Sequence, residues 1–246
     1  METYIRAALL LWFVFITSLC NGQSSEEKLT ISHVEGNFYI YTTYQYYKGN
    51  RIGANSMYLL TKEGAILFDT PWDTTQFQPL LDTIRKLHGQ EVIMAFATHF
   101  HNDRTRGLEF YKKLGIKTFT TRMTDSLSAA RGEIRGEFLM KADTTFNIGG
   151  YTFQSYYPGP GHTPDNIIFW FKKEKILYGA CLIKSAEDDN LGNIGDADVE
   201  RYAQTLVNVQ KKCRDPKFII VGHGNWRDKR SLEHSLNMAR ALRDSK

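Results

Sequence analysis

The sequence predicts one α/β domain in four layers (helix, sheet, sheet, helix), with two strand-rich halves and a metal site at the seam between them. β-Branched and aromatic segments alternate with amphipathic helical patterns along both halves. No linker or low-complexity stretch separates the halves. Side chains that bind metals follow several of the apolar strands, at the carboxyl ends where open α/β sheets hold their ligands.

The first half is predicted to begin as an antiparallel sheet. Strands are predicted over residues 29–34, 38–44, 56–60, 65–68 and 92–97. Turns containing Gly36 and Gly49-Asn50 join the first of them, as in antiparallel hairpins. Asp73 and Gln76 form a capping signature before a helix over 77–87. The run 92–97 is apolar without alternation, which is typical of a strand that is covered on both faces.

The remaining elements repeat the mixture of strands and helices. Helices are predicted near 108–114, over 123–130, over 199–213 and in the final segment that contains Leu232, Leu236, Ala239 and Leu242. Strands are predicted over 117–120, 144–146, 151–156, 167–171, 176–180 and 218–221. Each half therefore has helices for its outer face.

Composition indicates one ordinary globular domain of the larger kind. The chain has 246 residues, of which 24% are charged and 42% hydrophobic, and its formal net charge is +4. Basic residues are interspersed with acidic ones and form no tract, so nucleic acid is not an expected partner. No internal stretch approaches the length of a membrane-spanning helix. We expect the mature chain to be a monomer.

The amino terminus has the pattern of a secretory signal peptide. Arg6 precedes the apolar run 7–16, and small and polar residues follow. This predicts a signal peptide over residues 1–22, a single mature domain over 23–246, and export to the periplasm. Two alternatives remain, a lipid anchor at Cys20 and an uncleaved membrane anchor. The lipid anchor requires a small residue before the cysteine, where this chain has Leu19.

Six side chains of the metal-binding types stand at or between strand ends. They are His99, His101 and Asp103 in THFHNDR, His162 in a glycine-rich loop, Cys181 after the run 176–180, and His223 in VGHG. Histidine and thiolate with a single carboxylate suit zinc, whereas Mg²⁺ and Ca²⁺ prefer cages of oxygen. Six ligands are enough for two Zn²⁺ ions per chain, and the chemistry they indicate is metal-assisted hydrolysis.

Local geometry supports grouping the first three of these residues. Residues two apart on a strand project from the same face, so His99 and His101 are expected to lie together, and a turn into a helix brings Asp103 near them. An HxH pair alone is weak evidence, because paired histidines are also common on surfaces. The other histidines of the mature chain, His33, His88 and His234, are interpreted as surface or helix-face residues. Cys213 continues an apolar helical stripe and is interpreted as a core thiol.

The motifs HFHNDR, GPGHTPDN, GACLIKS, LGN and VGHG, in this order, resemble the metallo-β-lactamases over nearly all of the mature chain. The resemblance is closest to the first subclass, especially its flavobacterial members, and implies the αββα sandwich of that family. Other hydrolases of the superfamily, such as glyoxalase II, typically have a histidine after the motif aspartate and an aspartate in place of the cysteine. This chain has Arg104 and Cys181 at those positions.

The resemblance implies a role for each ligand. His99, His101 and His162 would hold one zinc with an open position for water, and Asp103, Cys181 and His223 would hold the other. A metal-bound hydroxide would attack the lactam carbonyl of penicillins, cephalosporins and carbapenems, which confers antibiotic resistance. The second zinc would stabilise the charge on the departing ring nitrogen. Either Asp103 or a water would deliver the proton to that nitrogen.

Four further residues are predicted to support the site. Lys184 matches the family lysine that pairs with the substrate carboxylate, and Asn193 matches the asparagine near the carbonyl oxygen. The ordinary alternatives are a solvated surface charge for the lysine and a turn for LGN. Asp69 is expected to accept the spare ring proton of a ligand histidine, and Arg104 to orient Asp103. The segment 41–50 corresponds to the family's hairpin flap, whose tyrosines could contact substrate.

Two other functions remain as alternatives. One is a different hydrolase of the superfamily, which would act on a thioester, a lactone or a phosphodiester. The other is a non-catalytic zinc-binding or periplasmic binding protein that has kept the ligands.

Overall fold

Within residues 27–245, which the computed structural model describes, the chain forms twelve strands and six α-helices. The strands are β1 Leu29–Glu35, β2 Phe38–Tyr47, β3 Asn50–Leu60, β4 Ala65–Phe68, β5 Val92–Phe96, β6 Lys117–Thr121, β7 Phe138–Met140, β8 Thr144–Ile148, β9 Tyr151–Tyr156, β10 Ile168–Phe171, β11 Ile176–Ala180 and β12 Phe218–Val221. The helices are α1 Phe77–His88, α2 Asn102–Thr105, α3 Leu108–Lys113, α4 Arg122–Arg131, α5 Val199–Lys212 and α6 Ser231–Asp244. The predicted signal peptide, residues 1–22, lies outside the described residues.

The strands form two sheets, one from each half of the chain. The first sheet has the order β1-β2-β3-β4-β5-β6-β7, antiparallel up to β4 and parallel from there to β7. The second has the order β12-β11-β10-β9-β8 and is antiparallel except for the parallel pair β11 and β12. The predicted antiparallel opening of the first half is confirmed.

Aromatic packing between the two sheets forms the main core. The ring of Phe68, on β4, lies 5.4 Å from that of Phe153 and 4.9 Å from that of Phe169, both on the second sheet. Each fully buried phenylalanine of this kind contributes roughly 1.5–3 kcal/mol through the removal of its surface from water. The outer face of the first sheet packs on α1 and α3, and the second sheet packs on α5 and α6. The predicted order of helix, sheet, sheet and helix is confirmed.

Polar residues collect at one edge, where four strands end. The parallel pairs β4 with β5 and β11 with β12 run their carboxyl ends to this edge. Asp69 and Ala180, just after β4 and at the end of β11, have left-handed backbones with φ of 67° and 44°. Residues other than glycine rarely adopt this backbone conformation unless the surrounding structure compensates for its strain. An isolated bridge between Ala54 and His223 joins the two sheets at the same edge.

The structure differs from the prediction at three elements. β3 begins at Asn50, six residues before the predicted start, because its first residues pair with β2 along the whole hairpin. The short edge strand β7 was not predicted. Asp73 caps a 3₁₀ turn, Thr74–Gln76, and the backbone N–H of Thr75 donates to it over 2.9 Å. The amide of Gln76 donates to Thr75 Oγ1 instead of returning to the cap, so the capping box does not form.

The remaining cysteine and the helices agree with the sequence interpretation. Cys213, at the end of α5, is a free thiol that is 1% exposed, and its interpretation as a core residue is confirmed. None of the helices within the described part of the chain combines the length and apolar character needed to cross a bilayer.

Candidate metal centre

The six candidate ligands come together at the edge where the strands end. Their donor atoms form overlapping groups of three, within each of which all atoms lie within 4.8 Å of one another; the groups are His99 with His101 and Asp103, His99 with His162 and Cys181, and Asp103 with Cys181 and His223. Three of the six residues follow strands of the first sheet and three follow strands of the second. The seam between the sheets therefore holds the site, as predicted.

His99 is held by one ring nitrogen and leaves the other free to bind. Thr98 Oγ1 lies 3.0 Å from His99 Nδ1 and 3.0 Å from Asp69 Oδ2, to which it donates. The hydroxyl then accepts from Nδ1–H, and Nε2 carries the lone pair. Nε2 is buried and has no hydrogen-bond partner among the residues that the structure describes. Burial holds the pKa of His99 well below its usual value, so the ring is neutral and able to bind a cation.

Asp69 does not contact a histidine directly, which corrects the prediction. Its carboxylate accepts from the backbone N–H of Thr98 over 2.7 Å and from the hydroxyl of Tyr178 over 2.6 Å. The Thr98 hydroxyl stands between the carboxylate and the His99 ring. Burial raises the pKa of Asp69 to about 6, against the lowering effect of Arg104. Its effect on the histidine is therefore transmitted through one hydroxyl.

His101 and His162 lie with His99 in a cluster of three rings, which is called the first group from here on. His101 Nε2 lies 3.0 Å from Asp196 Oδ2, and His101 Nδ1 lies 3.2 Å from His162 Nε2. Asp196 accepts from Nε2–H, so Nδ1 faces the centre with its lone pair. The three rings of the group have centroids 5.0 Å apart in every pair. Burial also holds the pKa of His162 well below its usual value.

Strand alternation does not explain how His99 and His101 meet. β5 ends at Phe96, and both histidines lie beyond it, in the bend that leads to α2. His101 is the extended residue that precedes α2, with φ −62° and ψ 148°, and Asp103 is in the first turn of that helix. The residues were predicted to lie together, but the bend is what brings them together.

The second group consists of Asp103, Cys181 and His223. Cys181 Sγ lies 3.3 Å from His223 Nε2 and 3.4 Å from Asp103 Oδ2, and the latter two atoms are 3.2 Å apart. His223 Nδ1 donates to the carbonyl of Gly53 over 2.9 Å, which directs Nε2 to the centre. Burial lowers the pKa of His223, but the neighbouring Cys181 and Asp103 outweigh burial and raise the pKa to about 9. A cation that binds Nε2 must therefore displace a proton.

Arg104 lies behind this group, where the sequence placed it. Its side chain is fully buried, and Nη2 lies 2.9 Å from Asp103 Oδ2 and 3.0 Å from Cys181 Sγ. Nη1 and Nη2 also donate to the carbonyls of Asn55 and Gly222. Although burial opposes ionisation of Asp103, the guanidinium holds its pKa well below the usual range. Arg104 thus holds the Asp103 carboxylate and the Cys181 sulfur close together in a buried setting.

Gly222 has no room for a side chain beside these residues. A Cβ atom there would lie 2.7 Å from Cys181 N and 2.8 Å from Arg104 Nη2. The glycine before His223 therefore allows the close approach of β11, β12 and the guanidinium.

An open cleft of about 680 Å³ leads to both groups. Its lining includes Tyr47, Trp72, Lys184 and Asn193. Lys184 is only 7% exposed, and burial lowers the pKa of its ammonium, while Cys181 and Asp188 oppose that shift. Asn193 is exposed and its Oδ1 accepts from Gly195 N over 3.2 Å, which is the ordinary turn contact.

The flap hairpin contributes fewer tyrosines to the cleft than the sequence suggested. Tyr41 is fully buried and donates to the carbonyl of Asp69 over 2.7 Å, so it cannot touch a substrate. Tyr47, near the tip of the hairpin, lines the cleft and packs on Trp72 with ring centroids 6.1 Å apart.

Four residues at the site were not predicted from the sequence: Thr98, Trp72, Asn55 and Asp196. The signal for Thr98 was its place directly before His99, and Asp196 follows the LGN segment by three residues. Asn55 gave no signal in the sequence. Its amide donates to the carbonyls of Val221 and Gly224, which belong to the other half of the chain. Such contacts depend on the tertiary arrangement.

The donor set fits zinc. Two neutral histidines with lowered pKa, a third histidine oriented by a carboxylate, and a separate cysteine, aspartate and histidine match the ligand types that zinc prefers. The buried, unpartnered Nε2 of His99 is explained by a cation at the centre of the first group.

Comparisons with known proteins agree with this geometry. The sequence model of the metallo-beta-lactamase superfamily matches residues 49–223. The chain is 41% identical over 217 residues to a metallo-beta-lactamase type 2 of Elizabethkingia meningoseptica, covering 88% of this chain and 87% of the relative. It is 39% identical over 205 residues to metallo-beta-lactamase IND-1 of Chryseobacterium indologenes, covering 83% and 86%.

Solved structures show the same arrangement of sheets and helices. The crystal structure of metallo-beta-lactamase IND-7 superposes with a TM-score of 0.84 at 37% identity, over 88% of this chain and all of that one. A metallo-beta-lactamase from Pontibacter korlensis gives a TM-score of 0.83 at 32% identity, over 86% and 99%.

Proposed function

Because this chain belongs to the metallo-beta-lactamase superfamily, we propose that it hydrolyses the β-lactam ring of penicillins, cephalosporins and carbapenems with two zinc ions, and so confers antibiotic resistance. The observation that carries the proposal is that six donors lie together in overlapping groups of three, and five of the six line one open cleft. His99, His101 and His162 would hold one ion, and Asp103, Cys181 and His223 the other. When bound, zinc supplies an activated water near neutral pH and stabilises developing negative charge.

Lys184 positions the substrate in this proposal. It is a cation at the wall of the cleft, three residues after Cys181, and β-lactam drugs of these classes carry a carboxylate. An ion pair formed in a partly buried cleft is screened less than one in open solvent. Asn193 assists through its amide N–H groups, which remain available to a carbonyl oxygen while Oδ1 accepts from Gly195.

Asp103 acts as a ligand and hydrogen-bond acceptor. Because Arg104 holds its pKa well below the usual range against the effect of burial, the carboxylate is ionised at neutral pH. A group with so low a pKa is a poor proton donor near pH 7. Of the two donors that the sequence left open, the proposal therefore favours water as the source of the proton for the ring nitrogen.

Turnover by the purified mature chain tests the proposal. With zinc supplied, imipenem and a chromogenic cephalosporin should be hydrolysed, a chelator should abolish the activity, and added zinc should restore it. The proposal would be overturned if neither compound were hydrolysed. A parallel panel of a thioester, a lactone and a phosphodiester separates it from the other hydrolases of the superfamily. Zinc content alone does not separate an enzyme from a binding protein, so turnover decides.

Export is part of the same proposal. The pattern of residues 1–22 supports a signal peptide, release at Gln23 and a monomeric periplasmic enzyme. Cell fractionation with amino-terminal sequencing of the exported protein tests this, and sedimentation of that protein gives its oligomeric state. Incorporation of labelled fatty acid at Cys20 would support the lipid anchor instead.

A further inference from the structure

Arg131 lies at the rim of the cleft and joins the two halves of the fold. It is the last residue of α4, and its side chain is 53% exposed. Nη2 donates to Asp196 Oδ1 over 2.6 Å. The carbon at the centre of the guanidinium lies 5.1 Å from the ring centroid of Phe100. In the sequence, Phe100 stands between the candidate ligands His99 and His101. Arg131 and Phe100 belong to the first half, whereas Asp196 belongs to the second.

The carboxylate of Asp196 is shared between Arg131 and His101. Oδ1 accepts from Arg131, and Oδ2 accepts from His101 Nε2 over 3.0 Å. A carboxylate that is bonded through both oxygens has its plane and its position fixed. The Phe100 ring adds a second contact, since it packs against the His101 ring with centroids 4.6 Å apart. Arg131 therefore reaches His101 through two independent neighbours.

The loop that carries Asp196 has few other ties to the first half. Within the described residues, the backbone bonds recorded around Asp196 run from Ala197 N to Ile194 O and from Asp198 N to Gly161 O, both within the second half. The side chain of Asp196 makes the contacts that cross the cleft. Without Arg131, the His101 hydrogen bond alone would hold the carboxylate in place.

We propose that Arg131 is a positioning residue that fixes Asp196 and thereby the orientation of His101 toward the first zinc. The inference rests on the proposed function. An ordinary exposed ion pair contributes roughly 0–1 kcal/mol and leaves a binding site unchanged. Arg131 differs because its partner carboxylate also orients a metal ligand, and contacts of that kind commonly change metal affinity about 10-fold or more.

The test compares Arg131→Ala with Arg131→Lys and with Arg135→Ala. Arg135 is a matched control, because it is similarly exposed and does not line the cleft. It pairs with Asp125, which lies on α4, the helix that also carries Arg131. Zinc affinity is measured by competition with a chromophoric chelator, and amide hydrogen exchange is measured over residues 191–198. We expect Arg131→Ala to weaken zinc binding at the first group about 5- to 10-fold and to speed amide hydrogen exchange in the loop. Arg131→Lys should recover part of both, and Arg135→Ala should stay within about twofold of wild type.

A further readout separates positioning from loss of folded protein. If Arg131 acts through zinc affinity, excess zinc should return the kcat of Arg131→Ala to near the wild-type value. Unchanged zinc affinity and unchanged loop exchange in Arg131→Ala would overturn the inference, as would an equal effect of Arg135→Ala. A wild-type protein that bound no zinc would instead overturn the proposed function.

Discussion

Arg104 donates to the sulfur of Cys181 over 3.0 Å, and neither side chain is accessible to solvent by more than 2%. A buried, ionised carboxylate such as that of Asp103 would be costly beside the sulfur without a cation of this kind. The guanidinium therefore stabilises the second donor group before any metal arrives.

Replacing Arg104 with alanine should destabilise the fold and the second zinc site together. Removing one partner of a buried charge network typically costs about 3–5 kcal/mol, since the other charges lose their compensation. Urea unfolding and metal analysis measure the two effects. Arg104→Lys keeps the charge but loses the planar fork, so it should show an intermediate loss. Wild-type stability in Arg104→Ala would contradict this role.

Cys181→Ala should lose most of the second zinc and most of the activity while the fold survives. The side chain is small, and its proposed role is that of a ligand. Cys213→Ala is the matched control, because it removes the other buried thiol of the described chain, which lies at the end of α5 and belongs to none of the ligand groups. It should cost about 1 kcal/mol in stability and keep both zinc ions. Full metal stoichiometry and rate in Cys181→Ala would refute the ligand assignment.

Thr98→Val should weaken the first zinc site about 10-fold. The change preserves shape but removes the hydroxyl that connects Asp69 with His99 Nδ1, so the ring loses the contact that fixes its tautomer. Zinc titration of the metal-free protein measures the effect.

The control for this variant is Thr120→Val. Thr120 is also fully buried, and its hydroxyl has no hydrogen-bond partner among the described residues. Valine there removes no hydrogen bond, so zinc affinity should remain at the wild-type value. An equal loss of affinity in both variants would show that the Thr98 hydroxyl has no special part.

Lys184→Ala should raise the KM for carboxylate-bearing β-lactams about 10-fold and change kcat little, because it removes binding that is made equally in the ground and transition states. Steady-state kinetics on a drug and on its carboxyl ester test the reason for the change, since the ester should be insensitive to the substitution. Lys172→Ala, at an exposed turn, serves as the control. An unchanged KM for the free acid would remove Lys184 from substrate binding.

The stability of Asp165→Asn relative to wild type should increase as pH rises. Asp165 is 1% exposed, and burial raises the pKa of its carboxyl, which the nearby Thr163 and Thr124 hydroxyls only partly oppose. A carboxyl whose pKa is raised in the folded state contributes stability that is fully present below its pKa in the unfolded state. This contribution is lost as pH rises through its pKa in the folded state. The asparagine variant has no such loss, so its advantage should grow by up to about 1.4 kcal/mol per pH unit across the titration. Urea unfolding from pH 4 to pH 8 measures this, and parallel curves for the two proteins would contradict it.

Hydrophobic patterns were sufficient to predict most of the fold. The run 92–97 and the helix over 199–213 were recovered within one residue, because burial on both faces and a helical apolar stripe are properties of the local sequence. The start of β3 and the strand β7 were missed, because they depend on pairing with a neighbouring strand, which the local sequence does not record.

The candidate ligands could be recognised in the sequence, but their hydrogen-bond partners could not. Histidine, cysteine and aspartate at strand ends are recognisable by residue type. Thr98 and Asp196 are common residues in loops, and their importance comes from atoms that lie within 3.0 Å of the ring nitrogens. Asp69 was placed correctly at a strand end, yet the intervening hydroxyl could not be inferred from sequence.

In the proposed two-zinc enzyme, the division of the donors between the two sheets would make each ion a cross-link. His99 and His101 come from the first half and His162 from the second, while Asp103 comes from the first and Cys181 and His223 from the second. Pulling the halves apart would then require releasing both ions. By mass action, each tenfold rise in free zinc above the dissociation constant adds about 1.4 kcal/mol per site to the free energy of unfolding. Survival of the folded chain in a zinc-poor environment, as well as its chemistry, would depend on the supply of the metal.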